Sequence, residues 1–219
     1  MIADVGCGDG IMALGVCHRA HPTRLIGFDV NLTDSHELLG GAQAEEVATE
    51  LPNELEFRQS SPLSTPAADD EFDVAYSWSA FEHIAEPVSV LSEIRRILKP
   101  DGVFFLQLWP FYLSARGSHL WEWFPEEFHH LRANHQDVVA EMQASDRHSA
   151  EWTDYMANEF ERLNRITLAE LQRAVLVSGF DVRRLELITS PTIVTPELGR
   201  YPWADLAVGG IKLIATPRR

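Results

Sequence analysis

With 219 residues, 45% of them hydrophobic, the chain is long enough to bury one substantial core, and one domain is the simplest organisation. A formal net charge of −15, with no clustered run of Lys and Arg, argues against a nucleic-acid partner, because phosphate contacts need a basic surface. Two cysteines, Cys7 and Cys17, build no disulfide framework and suit a reducing, cytoplasmic setting. No apolar run approaches the roughly 20 residues of a membrane span, so neither a membrane partner nor a leader is expected.

In chain order, residues 2–6 read as a short buried strand that runs into Gly6-Cys7-Gly8-Asp9-Gly10. A helix over 11–20 follows and stops near His21-Pro22, where the proline ring cannot continue it. Residues 24–30 form a second strand. Leu38, Leu39, Ala42 and Val47 place a helix within 35–50, ending before Pro52. A third strand at 55–59 precedes a Ser/Pro/Asp loop over 60–71, and a fourth strand spans 72–77. The spacing predicts a helix over 87–98, with Pro87 in its first turn and Leu91, Ile94 and Leu98 on one face. Lys99-Pro100-Asp101-Gly102 reads as a turn into a fifth strand over 103–109. Strands alternating with helices imply a parallel sheet covered on both faces.

Residues 110–165 break the rhythm. The first half is aromatic and histidine-rich (Phe111, Tyr112, His119, Trp121, Trp123, Phe124, Phe128, His129, His130), and the second half is polar and helical in composition. Regularity returns at Thr167-Leu168-Ala169-Glu170, a capping-box pattern whose helix stops at Gly179. Strands over 181–189 and 210–215 complete an α/β fold. It is expected to be Rossmann-like, with seven mostly parallel strands, helices on both faces and an aromatic insert after strand five.

The first glycine turn carries the chemistry. Glycines at positions 6, 8 and 10 let a strand-to-helix turn bend sharply and bring backbone N–H groups close to a ligand. Nineteen residues past Gly10, the second strand ends in Asp29, where a carboxylate can accept both hydroxyls of a ribose. The dinucleotide fingerprint is G-x-G-x-x-G. Here the spacing is G-x-G-x-G, and Ile11 stands where a third glycine would be required. Asp4 and Asp9 flank the turn, which disfavours a pyrophosphate and suits the sulfonium and ammonium of S-adenosylmethionine. The bland alternative is a tight structural turn, and Asp29 weighs against it.

On these residues the chain resembles the class I S-adenosylmethionine-dependent methyltransferases, especially their small-molecule group. Asp4-Val5-Gly6-Cys7-Gly8-Asp9-Gly10 looks like the first motif of that family, and Gly27-Phe28-Asp29-Val30 matches its ribose-binding acid. Phe72-Asp73-Val74-Ala75-Tyr76-Ser77, Phe81-Glu82-His83-Ile84 and the stretch from Leu91 to Gly102 resemble its fourth strand and the helix and turn after it. The resemblance covers residues 1 to about 108 and implies a cofactor-binding half there, an acceptor-binding cover over 109–166, and a final helix and strands over 167–219. The family usually places a helical segment ahead of the first strand, and that cover is expected to be missing here.

The expected cofactor-binding set is Asp4, Gly6, Cys7, Gly8, Gly10, Asp29, Val30, Ser61, Ser77 and Trp78. Asp4 resembles the family acid near the methionine portion and also suits a role as a loop-stiffening acceptor. Cys7 fills a small apolar slot. Ser61 falls where the family usually offers an acid to the adenine amine, a weaker acceptor than a carboxylate. Ser77 and Trp78 are expected beside the transferred methyl, with core packing an equal alternative for Trp78. His83 and His119 are the candidate catalytic bases, each with a structural alternative. Some quinone-pathway O-methyltransferases hold a divalent metal with Glu-x-x-Glu-His. Here Ser79 occupies the first position, and no metal is expected. The resemblance implies methyl transfer to a small-molecule acceptor, most readily at oxygen. Amine N-methylation and a non-catalytic cofactor-binding module are the alternatives, a nicotinamide oxidoreductase rests only on the loop type, and a homodimer is left open.

Overall fold

The computed structural model describes residues 1–218. Seven strands form one sheet: β1 (Ile2–Val5), β2 (Leu25–Asp29), β3 (Leu55–Gln59), β4 (Phe72–Trp78), β5 (Leu98–Leu108), β6 (Phe180–Thr189) and β7 (Val208–Pro217). Their order is β3-β2-β1-β4-β5-β7-β6. The first five run parallel, and β7 is antiparallel to both of its neighbours. The strand order reverses between β1 and β4, and in an open parallel sheet that reversal opens a crevice at the strands' carboxyl ends.

Alternation along each strand feeds two separate cores, since successive side chains point to opposite faces. Ala3, Ile26, Phe28, Ala75, Phe104, Leu106 and Leu108 face one side, where α3 (Pro87–Ile97) and α7 (Leu168–Val177) cover them with Leu91, Ile94, Ile97, Leu171, Ala174 and Val175. Leu25, Tyr76 and Phe105 face the other side, under α1 (Ile11–Ala20) with Ala13 and Cys17. Leu14 continues that layer to α2 (Ser35–Ala44) through Leu38 and Ala42. The expected α/β sheet with helices on both faces is therefore present.

Three boundaries differ from the sequence reading by more than one residue. The helix expected within 35–50 ends at Ala44: Glu46 turns left-handed (φ 57°), and Val47 donates back to the Ala42 carbonyl at 2.8 Å. The Val47 position that looked periodic belongs to this fold-back. Lys99–Gly102 is not a free turn before a strand. Leu98 already pairs with Phe72, and Val103 with Val74, so residues 99–102 loop out of β5 opposite Asp73 alone. The last strand runs longer than 210–215 because both edges of β7 are paired, by β5 and by β6.

The insert after β5 contributes α4 (His129–Arg132), α5 (His135–Gln143) and α6 (Ala150–Arg162). Leu120, Trp123, Phe124, Val138, Met142, Ala157, Phe160 and Leu163 bury one another in a cluster of their own. Asn134 and Ser149 accept from backbone N–H groups and cap α5 and α6. The capping box read at Thr167 and Glu170 is formed, and Gly179 takes the left-handed stop (φ 82°) after α7. The short α8 (Trp203–Ala207), which the sequence reading did not contain, leads into β7.

Asn164 staples the insert to the sheet. Its backbone N–H donates to the Glu82 carbonyl at 2.8 Å, and its side-chain amide donates to the carbonyls of Phe81 (2.6 Å) and Ile84 (2.7 Å). Asn164→Ala leaves two carbonyls without this donor. It is expected to destabilise the fold by about 2 kcal/mol, lowering Tm by about 4–8 °C in a thermal melt.

Candidate active site

The turn after β1 is a tight, fully wired structure. Gly6, Gly8 and Gly10 all have positive φ (80°, 53° and 83°), a region that costs a side chain strain. Two of them also have no room. A Cβ on Gly6 would lie 2.6 Å from the Ala80 Cβ, and one on Gly10 would lie 2.6 Å from Phe57. At Gly8 a Cβ would meet nothing within 4 Å, so its backbone faces open space. The N–H groups of Gly6 and Cys7 both donate to the Phe28 carbonyl, at 2.8 and 3.2 Å, which ties the turn to β2. The Asp9 carboxylate accepts the N–H of Ile11, the first residue of α1, at 3.0 Å.

Asp29 stands at the tip of β2 beside this turn. Its Oδ2 accepts the Gly8 N–H at 2.9 Å, and its Oδ1 accepts the Asn31 N–H at 3.0 Å. A carboxylate has about four acceptor positions, so two remain for a pair of hydroxyls. The two backbone donors fix the carboxylate plane. Thr33 completes the brace by donating its hydroxyl to the Gly8 carbonyl at 2.8 Å, with Cys7 Sγ 3.4 Å away. Burial pushes the Cys7 thiol up to about 12, so it fills space rather than acting as a nucleophile.

Asp4, only 1% exposed, is the unusual acid. Burial raises its pKa to about 7, against the opposing Tyr76 hydroxyl, which donates to Oδ2 at 2.8 Å. A buried carboxylate costs stability unless something cationic joins it. Ser77 lies next along β4, fully buried, with its Oγ near Gly6 and without a hydrogen-bond partner. Trp78 is part-exposed and stacks on Phe105 at 5.8 Å. Val30 is exposed past Asp29, and Gln59 donates to its carbonyl at 2.9 Å. Ser61 follows Ser60, whose N–H donates to the Asp29 carbonyl at 2.8 Å, and its Oγ lies 2.8 Å from Ser64 Oγ in a small bridge.

On the far side of Ala80, the residues after β4 curl into a turn, with the His83 N–H donating to the Ala80 carbonyl at 3.0 Å. The insert brings His119 against this turn, its ring centroid 5.5 Å from that of His83. Both imidazoles are held below the ordinary histidine range by burial, His119 at about 4. At neutral pH both are therefore uncharged, and the burial that keeps them so also weakens them as bases. Sequence reasoning named both histidines but had no means of placing them together. It missed Tyr76 as the Asp4 partner, although the parallel register sets Tyr76 directly beside Asp4. It also missed Thr33 and Glu159, whose Oε2 lies 3.4 Å from His83 Nδ1.

An α/β sheet whose order reverses over a glycine turn and a strand-tip acid defines a Rossmann-like fold. Residues 3–106 match the family described as a methyltransferase domain. Over these residues, just under half of the chain, the protein is similar to methyltransferase domains. Among its relatives is a sterol 24-C-methyltransferase of Gibberella zeae, 34% identical over 110 residues, covering 49% of this chain and 27% of that protein. Another is a ubiquinone biosynthesis O-methyltransferase of Actinobacillus pleuropneumoniae, 31% identical over 109 residues, covering 48% of this chain and 43% of that one. The match therefore spans less than half the length of either relative. The crystal structure of an S-adenosylmethionine-dependent methyltransferase from Mesorhizobium loti shares the fold, with a TM-score of 0.56 at 19% identity over 98% of this chain and 89% of that one. No helix among the described residues is long and apolar enough to cross a membrane.

Proposed function

We propose that the protein transfers the methyl group of S-adenosylmethionine to a small-molecule acceptor, at oxygen. The observation that carries this reading is the pairing of two strand-tip acids across an open glycine: Asp29 for the ribose hydroxyls, and the buried Asp4 for the cationic methionine end. Gly8 lets the adenosyl group approach the backbone between them. Ser77 and Trp78 lie along β4 toward the methyl, Val30 flanks the adenosine side, and Ser61 offers a hydroxyl at the margin.

The reaction is an in-line displacement. The acceptor oxygen forms a bond to the methyl carbon as the carbon–sulfur bond breaks, leaving S-adenosylhomocysteine and releasing the acceptor's proton. Most of the rate comes from holding the two reactants in line. The relatives act at carbon and at oxygen by name. Two imidazoles at the turn after β4 favour a hydroxyl, since an alcohol gains from a base and an amine is already nucleophilic. The aromatic insert, with Trp121 tilted against both Trp109 and His119 at 6.0 Å, supplies walls for an uncharged organic acceptor.

The test is incubation of the protein and a small-molecule extract with S-adenosylmethionine labelled in the methyl group, read by mass spectrometry. The expected result is a labelled methyl ether of low mass together with S-adenosylhomocysteine. Label found only on protein or nucleic acid, or no transfer to any acceptor, contradicts the reading.

A further inference from the structure

We propose that Glu82, His83 and His119 form a binding site for a divalent transition-metal ion, with the third ligand supplied by the insert. One ligand atom from each of these residues lies within 4.8 Å of those of the other two. Glu82 is 4% exposed, and its Oε2 has no hydrogen-bond partner. His83 Nδ1 and His119 Nε2 are likewise buried and unpartnered, the Glu159 carboxylate lying near His83 without hydrogen-bond alignment. Three converging buried groups without partners are rare in a folded protein, where nearly all such atoms are satisfied. An ion satisfies all three at once.

The backbone is arranged for this convergence. His119 sits in the left-handed region (φ 63°), uncommon for a residue with a side chain, and the turn before it is closed by its N–H donating to the Arg116 carbonyl at 3.2 Å. Glu82 is held by Asn164, which donates to its carbonyl and to those of Phe81 and Ile84. The insert thus pins the Glu82 segment and itself supplies His119. Charge also balances: Glu82 and the adjacent Glu159 bring two negative charges to a doubly positive ion. Two imidazoles and one carboxylate suit zinc, iron, cobalt or manganese rather than magnesium, and leave positions open for a substrate oxygen.

Ion binding does not depend on methyl transfer, but its use rests on that reading. A metal-bound acceptor hydroxyl loses its proton more readily. The histidines would then act through the ion instead of as free bases. For this reason the test omits S-adenosylmethionine. Purified, chelator-treated protein is titrated with zinc chloride by calorimetry, and with cobalt chloride by visible absorption. The expected result is one equivalent of Zn²⁺ bound, weakened about tenfold or more by Glu82→Gln and by His119→Ala, and unchanged in the surface variant His18→Ala. Cobalt should give d–d bands without sulfur-to-metal charge transfer. Equal affinity in both site variants, no uptake by the parent protein, or a charge-transfer band placing the ion on Cys7 or Cys17 each overturns the proposal. Should either variant misfold by circular dichroism, the cobalt spectrum of the parent protein decides alone.

Discussion

Replacing Asp4 by asparagine is expected to strengthen the ligand-free fold at neutral pH while removing most cofactor affinity. The folded Asp4 carboxyl titrates at about 7, against an ordinary value of 3.8. Below about pH 4 the group is protonated in both folded and unfolded chains and contributes nothing. Between about pH 4 and 7 the unfolded chain has released a proton that the folded one retains. Stability therefore falls as pH rises through that window and is lowest above it, a cost on the order of 4 kcal/mol. Asparagine carries no such cost, and its side-chain oxygen can still accept from Tyr76. Urea denaturation at pH 8 should show a higher midpoint for Asp4→Asn than for the parent, the difference vanishing near pH 4. The same variant should bind S-adenosylmethionine about ten- to a hundredfold more weakly, because a charged hydrogen-bond acceptor is gone. In the parent, affinity should rise with pH up to about 7, as the sulfonium and ammonium stabilise the ionised acid, and binding should release a proton. Equal stability of parent and variant at pH 8 would remove Asp4 from this role.

Asp29→Ala has a second large effect, for a different reason. Asp29 is half-buried, and its carboxylate is locked by the N–H groups of Gly8 and Asn31. Alanine deletes both the ribose acceptor and the brace across the glycine turn. Affinity for S-adenosylmethionine should fall by about 1.5–3 kcal/mol, roughly ten- to a hundredfold in calorimetry. Asp29→Asn separates the two contributions. Its single oxygen can keep one backbone donor but cannot serve both donors and both hydroxyls, so it should lose nearly as much affinity while holding the fold. Parent-like affinity in Asp29→Asn would place the ribose elsewhere.

Much of the sheet was legible because its signals are local. Residues 2–10 combine an apolar strand with glycines that only one backbone geometry accommodates, and β2 ends on an acid within hydrogen-bond reach of that turn. The capping box at Thr167 is likewise a four-residue signal. Errors arose where a local pattern was overruled by pairing at a distance. Pro100 and Gly102 have turn chemistry, but β4 pairs with β5 on both sides of them, so they bulge instead of terminating. Val47 has helical spacing, but the chain folds back onto Ala42.

The acceptor side was least legible. Asn164 reaches Phe81 across 83 positions, and His119 meets His83 through a loop without regular structure. No periodicity reports such a meeting. The Glu82-His83 pair was visible as residues, yet the missing acid at Ser79 argued against a cluster. The structure turns Ser79 to Gln107, which accepts from its hydroxyl at 2.8 Å and its N–H at 3.0 Å, and brings a histidine from the insert to the group instead.

The central claim is that two strand-tip acids and an open glycine hold an adenosyl sulfonium. It is tested most directly by a crystal structure of the protein soaked with S-adenosylhomocysteine. The account predicts the ribose hydroxyls on Asp29, the adenosyl group passing over Gly8, and the methionine ammonium beside Asp4. A crevice that stays vacant at saturating ligand, or a ribose bound away from Asp29, would contradict it.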